Sequence, residues 1–500
     1  MSYQFSQAEI DQWSSRDWRL NNLYFIKDKY GAKVKFKLNF AQRKLLQEMH
    51  FLNIILKARQ LGFSTFIQIL ALDCCLFNSN FDAGVIADTT KNAANLLSRA
   101  KYAYDNLPAD LREAVTITTD NVNELVFSNG SSFEVGVSLR SGTKNLLHVS
   151  EYGKICAKHP EKAKEIKSGA LNTLAQGQLG FIESTAEGKG GDFHDKCVES
   201  EKIADMGRTL SPMEWKFHFY AWWQDPSYIS MSIVPITVEM QKYFKDLEDE
   251  DGVVLSLPQK YWYVSKHKEQ GDDMWKEYPS TPKESFLAAK DGAYFAKEFA
   301  KLRKRGCIGR FPVVANTPCH TFWDWGIGDN TVIWVMQVVQ GRFRFVGYYE
   351  NSGEGLAHYL DWLDKWRVTH NATWANDGHY APHDFRTRRP AAKVTTLEEI
   401  AFDLGYRFDI VDRTQDKLST IQVARQKIAD CDFDETACDV GITHMENYAR
   451  DWDEKLATWK PYPRHDEHSH CADGFFTFTD GFINTVSSNT HSHKRKEAPY

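Results

Sequence analysis

The sequence predicts an α/β protein of two successive domains, and three observations carry that expectation. A buried apolar run at residues 53–56 passes through a short polar loop into an apolar helical run at 66–76. Strand and helix patterns then alternate: 83–87 as a strand, 91–107 as a helix, and 147–150 and 180–184 as buried strands. From His320 a second pattern begins, with apolar runs at 321–325, 331–339 and 344–349 separated only by turns, then a helical period at 356–366. Asn129-Gly130 joins two alternating runs and marks a hairpin, so the first sheet should be parallel with an antiparallel insertion. The expected divisions are 1–211, a connector and lid at 212–310 with an aromatic, charged texture, a second domain at 311–490, and a basic tail at 491–500.

Five hundred residues exceed what one core usually serves, while 42% hydrophobic and 26% charged content are those of a soluble globular chain. Apolar runs fall short of the ~18 residues that span a bilayer, so no membrane partner and a cytoplasmic location are expected. Nine cysteines without a C-x-x-C pair read as buried thiols. A net charge of −6 excludes a surface basic all over, yet basic clusters at 154–167, 297–310 and 386–393, set against an acidic run at 246–251, leave room for a local nucleic-acid track.

The segment KARQLGFS, residues 57–64, has the length and ending of a phosphate-binding loop with its lysine at the opposite end. The usual pattern is G-x-x-x-x-G-K followed by Ser or Thr, its backbone N–H groups cradling phosphates, its lysine beside the terminal ones and its hydroxyl on magnesium. Gly62 and Ser64 fit, with Thr65 beyond; the lysine slot holds Phe63, and Lys57 or Arg59 must supply the cation. A nucleotide hydrolase of this type also needs a carboxylate to polarise water, and LLHVSE, residues 146–151, ends an apolar strand in Ser150-Glu151. Glu151 is then the candidate base, with Ser150 where an aspartate normally holds magnesium. IESTAEG, 182–188, leaves another buried strand with two hydroxyls and a glycine where a phosphate sensor would sit. Gln42, in the segment 36–46, carries an amide suited to an adenine edge, and Arg140 is placed to serve a neighbouring subunit as a transition-state cation.

Together these motifs resemble the large subunit of tailed-phage terminases, in order: Gln42, the loop with its early lysine, the Ser-Glu strand end and the STAEG segment. YPSTPKESF, 278–286, matches a further phrase of that family, and the resemblance extends from about residue 36 to 485. It implies a P-loop ATPase domain with a parallel sheet, followed by a ribonuclease H-like nuclease domain. It further implies ATP and Mg2+ as cofactors, with Mn2+ an option at the nuclease site. The partners would be double-stranded DNA, a procapsid portal, a terminase small subunit and further copies of the chain, in the host cytoplasm. Phe63 and Ser150 depart from the family pattern.

Cleavage of a phosphodiester by two metal ions needs carboxylates converging from separate elements. The resemblance carries that part to Asp324 in FWDWGIGDNT, Asp384 in YAPHDF and Asp473 in HSHCADGFF, with Asp329 and Asp466 as outer partners. His465, His468 and His470 lack a standard zinc spacing and are expected to contact phosphate or orient Asp473. Trp222, Trp223, Trp323 and Trp325 read as core rather than base-stacking groups. Two other readings stand beside the packaging motor: a structural portal-docking nuclease with a decayed ATP site, and a cellular DNA translocase.

Overall fold

The computed structural model describes residues 7–139, 142–287, 291–326, 329–387, 395–412, 416–453, 456 and 458–482. Arg140 and the tail at 491–500 lie outside them. The chain divides into two compact units, Met1–Ala288 and Ala289–Tyr500.

The first unit is built on an eight-stranded sheet. Its strands are β1 (Leu52–Lys57), β2 (Asp82–Ile86), β3 (Ile117–Asp120), β4 (Glu124–Phe127), β5 (Ser132–Gly136), β6 (Lys144–Ser150), β7 (Leu174–Ser184) and β8 (Trp215–Tyr220). The spatial order is β8-β1-β7-β6-β2-β5-β4-β3. All neighbours from β8 to β5 pair in parallel; β5, β4 and β3 pair antiparallel. The hairpin expected at Asn129-Gly130 joins β4 to β5, with Gly130 at φ 83°. Helix α1 (Phe40–Glu48) precedes β1, α2 (Phe63–Phe77) follows it, and α3 (Thr90–Asp105) follows β2. Twelve of the fifteen residues of α2 are buried, so this helix lies within the core rather than on the surface.

The boundary expected at 211/212 falls just before β8, whose residues pair with β1 along its whole length and so belong to the first sheet. An alternating aromatic strand, WKFHFY, gave that segment its altered texture without making it a connector. The other expected boundary, 310/311, lies inside the second unit, because Phe295, Phe299 and Leu302 pack into that unit's core. Between them the YPSTPKESF phrase anchors the aromatic segment. Glu284 is buried; Tyr243 donates to it at 2.7 Å and the Ser280 N–H at 2.7 Å, while Trp222 Nε1 donates to Ser280 Oγ at 3.0 Å. Trp222 and Trp323 are fully buried and Trp325 nearly so, as core residues.

The second unit holds a seven-stranded sheet: β9 (Ile308–Gly309), β10 (Cys319–Asp324), β11 (Thr331–Val339), β12 (Arg342–Asn351), β13 (Trp374–Pro382), β14 (Phe408–Val411) and β15 (Cys431–Asp434). The order is β9-β15-β12-β11-β10-β13-β14. β10, β11 and β12 are successive antiparallel neighbours. After α4 (Leu356–Thr369) the chain returns to β13, which lies parallel to β10 on its other side, and β14 follows parallel to β13. Three antiparallel strands, a helix and two parallel strands in that spatial order are the ribonuclease H-like topology. Two later helices, α5 (Lys417–Ile428) and α6 (Glu467–Thr477), complete the site described below. All nine cysteines are buried and none is in a disulfide. Among the described residues no helix is long and apolar enough to cross a membrane.

Candidate functional sites

The first site lies at the carboxyl ends of β1, β7 and β6. Side chains two apart on a strand share a face, and residues abreast on parallel strands do too. Ile55 stands abreast of Glu183, and Glu183 abreast of Ser150. Lys57, Glu183, Ser150 and His148 therefore face the same side of the sheet, the side that α2 covers.

Glu183 is the hub of this row and is fully buried. Ser64 and Ser150 both donate to its Oε1, each at 2.7 Å. The Lys57 ammonium lies 3.0 Å from its Oε2 and 3.6 Å from Glu151 Oε1. His148 Nε2 stands 3.4 Å from Oε1, and its other ring nitrogen meets Gln68 of α2 at 2.9 Å. Burial by itself would raise the Glu183 carboxyl, but Lys57 and the His148 and Ser64 contacts hold it well below the usual carboxylate range. Burial would lower Lys57, and the two carboxylates raise it instead. Glu151 behaves oppositely to Glu183: desolvation raises it, with Lys57 opposing. Glu151 also sits at φ 56°, in the left-handed region that a non-glycine residue adopts at a cost of about 1–3 kcal/mol.

The loop is held from both sides. Gly62, at φ 77°, begins α2 without a side-chain cap, so the first-turn N–H groups stay available to an anion. A Cβ on Gly62 would stand 2.7 Å from Gln42 Nε2. Gln42 itself is buried and both ends of its amide are engaged: Nε2 donates to the Gly62 carbonyl at 2.9 Å, and Oε1 accepts from the Asn39 N–H at 3.0 Å. The structure therefore gives Gln42 the task of bracing the loop, where the sequence suggested an adenine contact. Arg59 pairs with Glu277 at 3.0 Å, and its carbonyl accepts from Tyr228 at 2.7 Å. Phe63 is buried against Tyr220 of β8, ring centroids 4.6 Å apart, so the usual lysine slot points into the core. Thr65 accepts from Arg99 at 3.1 Å beside a cleft of about 570 Å³ that Lys27, Arg99 and Tyr102 also line.

The second site lies at the end of β10. Helix α6 packs closely there at Gly474, where a Cβ would stand 3.3 Å from a Val332 methyl and press on it. Thr477 fixes the approach by donating to the Trp323 carbonyl at 2.9 Å. One turn of α6 then presents His470 and Asp473 together. His470 Nδ1 lies 3.0 Å from Asp324 Oδ2, and Lys417 of α5 is ion-paired with Asp473. Desolvation raises Asp324 to about 6 against the His470 hydrogen bond, and the Asp473 charge adds to the rise. The same hydrogen bond raises His470.

The expected trio is thus joined in part. Asp324 and Asp473 share one charge cluster, 149 positions apart by subtraction of their numbers. Asp384 lies just past β13, the strand beside β10, more than half exposed, with its carboxylate 3.1 Å from His383. Among the described residues, the ligand atoms that lie within 4.8 Å of one another belong instead to Asp329, His465 and His470. Two imidazoles and a carboxylate suit manganese or zinc better than magnesium. His468 leaves that group for His444, at 2.7 Å, and His444 meets Glu350 at 3.2 Å. His470 bonds Asp324 rather than Asp473, the residue it was expected to orient. Asp466 caps α6 and pairs with Arg464 at 2.6 Å, which is a structural task.

Sequence reasoning missed Glu183 and Lys417. Glu183 stood within IESTAEG, read for its hydroxyls; the overlooked signal was an acid ending a strand otherwise apolar enough to be buried on both faces. Lys417 carries no motif.

No family model matches the chain, and no curated protein matches its sequence. The solved structures to which it is similar include phage large terminases. The large terminase of bacteriophage HK97 aligns over 94% of this chain and 98% of its own, at 11% identity and a TM-score of 0.44. The ATPase domain of the Thermus phage P74-26 large terminase aligns over 50% of this chain and 94% of its own, at 14% identity and 0.33. The P22 large terminase nuclease domain aligns over 35% of this chain and 86% of its own, at 13% identity and 0.27. Overlaps this loose carry no equivalence between residues.

Proposed function

We propose that this chain is the motor of viral DNA packaging: ATP hydrolysis at the first site drives double-stranded DNA into a procapsid, and a metal-dependent endonuclease at the second cuts concatemers to genome units. The observation that carries the reading is the pairing of two unlike sites on one chain. One is a strand–loop–helix whose hydroxyl and cation meet carboxylates at the carboxyl ends of central strands; the other is an acidic strand end in a ribonuclease H-like sheet.

At the first site Gly62 and the start of α2 would receive the phosphates of ATP, with Ser64 on the accompanying magnesium and Lys57 as the cation. Glu151, raised by desolvation, is suited to polarise the attacking water. At the second site Asp324 and Asp473, with Asp384 from the next strand, would hold magnesium or manganese, whose chemistry there is activation of water and support of the leaving oxygen. DNA would be held through its phosphates, with little sequence preference. Portal, small subunit and further copies of the chain are the partners this reading requires, and the host cytoplasm the place.

The test is a separation of activities in the full chain. Glu151→Ala should abolish DNA-stimulated ATP hydrolysis and packaging while sparing metal-dependent cutting, and Asp324→Asn should do the converse. Loss of both activities in either folded variant would overturn the two-site reading. Two observations favour the docking nuclease with a decayed ATP site, namely the buried Phe63 and the Lys57 ammonium already flanked by two carboxylates. Under that reading the wild-type chain cuts DNA but turns over no ATP even with DNA and procapsid present.

A further inference from the structure

We infer that Glu183 is the metal-holding carboxylate of the nucleotide site, supplied by β7 in place of the acid that β6 lacks. This rests on the motor reading above.

In loops of this kind the magnesium is held between the loop hydroxyl and an acid from a neighbouring strand, so hydroxyl and acid must stand within reach of each other. The slot on β6 is filled by Ser150, which brings an oxygen but no charge. The acid that actually meets the loop hydroxyl is Glu183, with Ser64 Oγ 2.7 Å from its Oε1. Ser150 donates to that same oxygen at 2.7 Å, so the two positions form one unit: a hydroxyl on β6 and a carboxylate one strand over. The sheet order makes this possible, because β7 lies between β1 and β6 and places Glu183 abreast of Ser150.

The donor set fits a hard divalent cation. Two hydroxyl oxygens and a carboxylate converge, all oxygen ligands. Glu183 Oε2 has the Lys57 ammonium at 3.0 Å as its contact, and since a carboxylate oxygen carries two lone pairs it keeps one to offer. A role as counterion to Lys57 accounts for Oε2 but not for Oε1, which is turned to the loop hydroxyl. A buried ion pair is, besides, weak as a stabilising device, since apolar replacements of equal volume are often neutral or better.

The experiment is a titration of the full chain with a fluorescent ATP analogue, in magnesium or manganese and in excess chelator. Wild type should bind at least about ten-fold more tightly with metal. Glu183→Gln, which keeps the shape and the acceptor oxygen, should erase that factor and leave metal-free affinity within about three-fold of wild type. Adding Ser150→Asp to Glu183→Gln should restore part of the metal dependence, by returning a carboxylate to β6. A Glu183→Gln protein with the full wild-type metal factor would overturn the assignment and leave the motor reading intact. An equal fall in metal-free and metal-bound affinity would also overturn it, showing Glu183 to be the counterion of Lys57. If wild type binds no nucleotide under either condition, the motor reading itself fails. Should Glu183→Gln not fold, Glu183→Asp carries the same test: the shorter acid should reduce the metal factor, and an unchanged factor would refute the assignment.

Discussion

The two sites solve the problem of clustered carboxylates in opposite ways. At the end of β1 one buried cation, Lys57, lies between two acids, holding Glu183 ionised while desolvation raises Glu151. At the end of β10 two acids share a cluster whose cations, His470 and Lys417, each address a different acid, and Asp324 is raised to about 6. The first site thus shares one cation between two acids, whereas the second gives each acid a cation of its own and still leaves Asp324 raised. A preorganised loop suits a ligand that arrives with its own metal, and an acidic strand end suits a metal taken from solution.

The largest effect expected from this contrast is at Lys57. Lys57→Met should cost about 3–5 kcal/mol, because it leaves the buried Glu183 charge without its cation, and should abolish nucleotide turnover. Phe63→Ala should cost a similar amount, about 3–5 kcal/mol, by emptying a packed site against Tyr220, yet change turnover per folded molecule far less. Urea unfolding midpoints together with turnover measured on the folded fraction separate the two. If Phe63→Ala lost turnover and Lys57→Met kept it, the account of Lys57 as the shared cation of the first site would fall, and Arg59 would become the cation to test.

At the second site the sign reverses. An acid whose folded pKa is raised contributes stability that is present below its unfolded value, near 4, and lost as pH rises through about 6. At neutral pH the ionised Asp324 therefore weighs against the metal-free fold. Asp324→Asn should raise the metal-free melting temperature by about 2–4 °C, equivalent to about 1 kcal/mol, and lose the further rise that manganese gives wild type. A lower melting temperature without metal would show that the His470 pair outweighs the repulsion, making this site as self-sufficient as the first.

How much of this was open to reading from the chain follows the distance over which each signal acts. The β1–loop–α2 unit, the Asn129-Gly130 hairpin and the three runs after His320 are local patterns of period and turn, and they stood where expected. β8 escaped because a strand that joins a sheet 163 residues after its partner leaves no mark in its own neighbourhood; only the pairing of Trp215 with Leu52 reveals it. Glu183 escaped for the same reason, since its partners Ser64, Ser150 and Lys57 come from three other elements. Asp324 and Asp473 were legible as acids in suggestive settings, but that His470 would turn to Asp324, and that Lys417 would reach Asp473, depended on how α5 and α6 dock. Gln42 shows the converse: a residue of the right type in the right place whose amide also has partners, the capping of α1 and the Gly62 carbonyl, that the sequence did not announce.

The smallest expected effect uses acid to expose the raised Asp324 of the second site. In the second unit, burial lowers His320 and His379 to about 4, so each is neutral in the fold and must be forced to charge. For such a base the unfolded chain binds more protons between about 4 and the ordinary 6.5, so stability falls with acid across that window. Asp324 acts oppositely over nearly the same window, because there the folded chain holds a proton that the unfolded one has lost. His470 stands outside it: its pKa is raised, so its contribution is fully present below 6.5 and fades only as pH rises past its folded value. The opposed terms cancel in part and should give wild type a shallow acid profile between pH 6 and 4. Asp324→Asn removes one side of the balance, so the variant, although more stable at neutrality, should lose stability more steeply on acidification, by up to about 1 kcal/mol per pH unit. His379→Phe, which removes part of the other side, should flatten the profile or reverse it. Urea midpoints followed from pH 7 to 4 in chelator decide the matter: parallel profiles for wild type and Asp324→Asn would mean that Asp324 titrates alike in folded and unfolded chains, and the desolvation assigned to it at the second site would be gone.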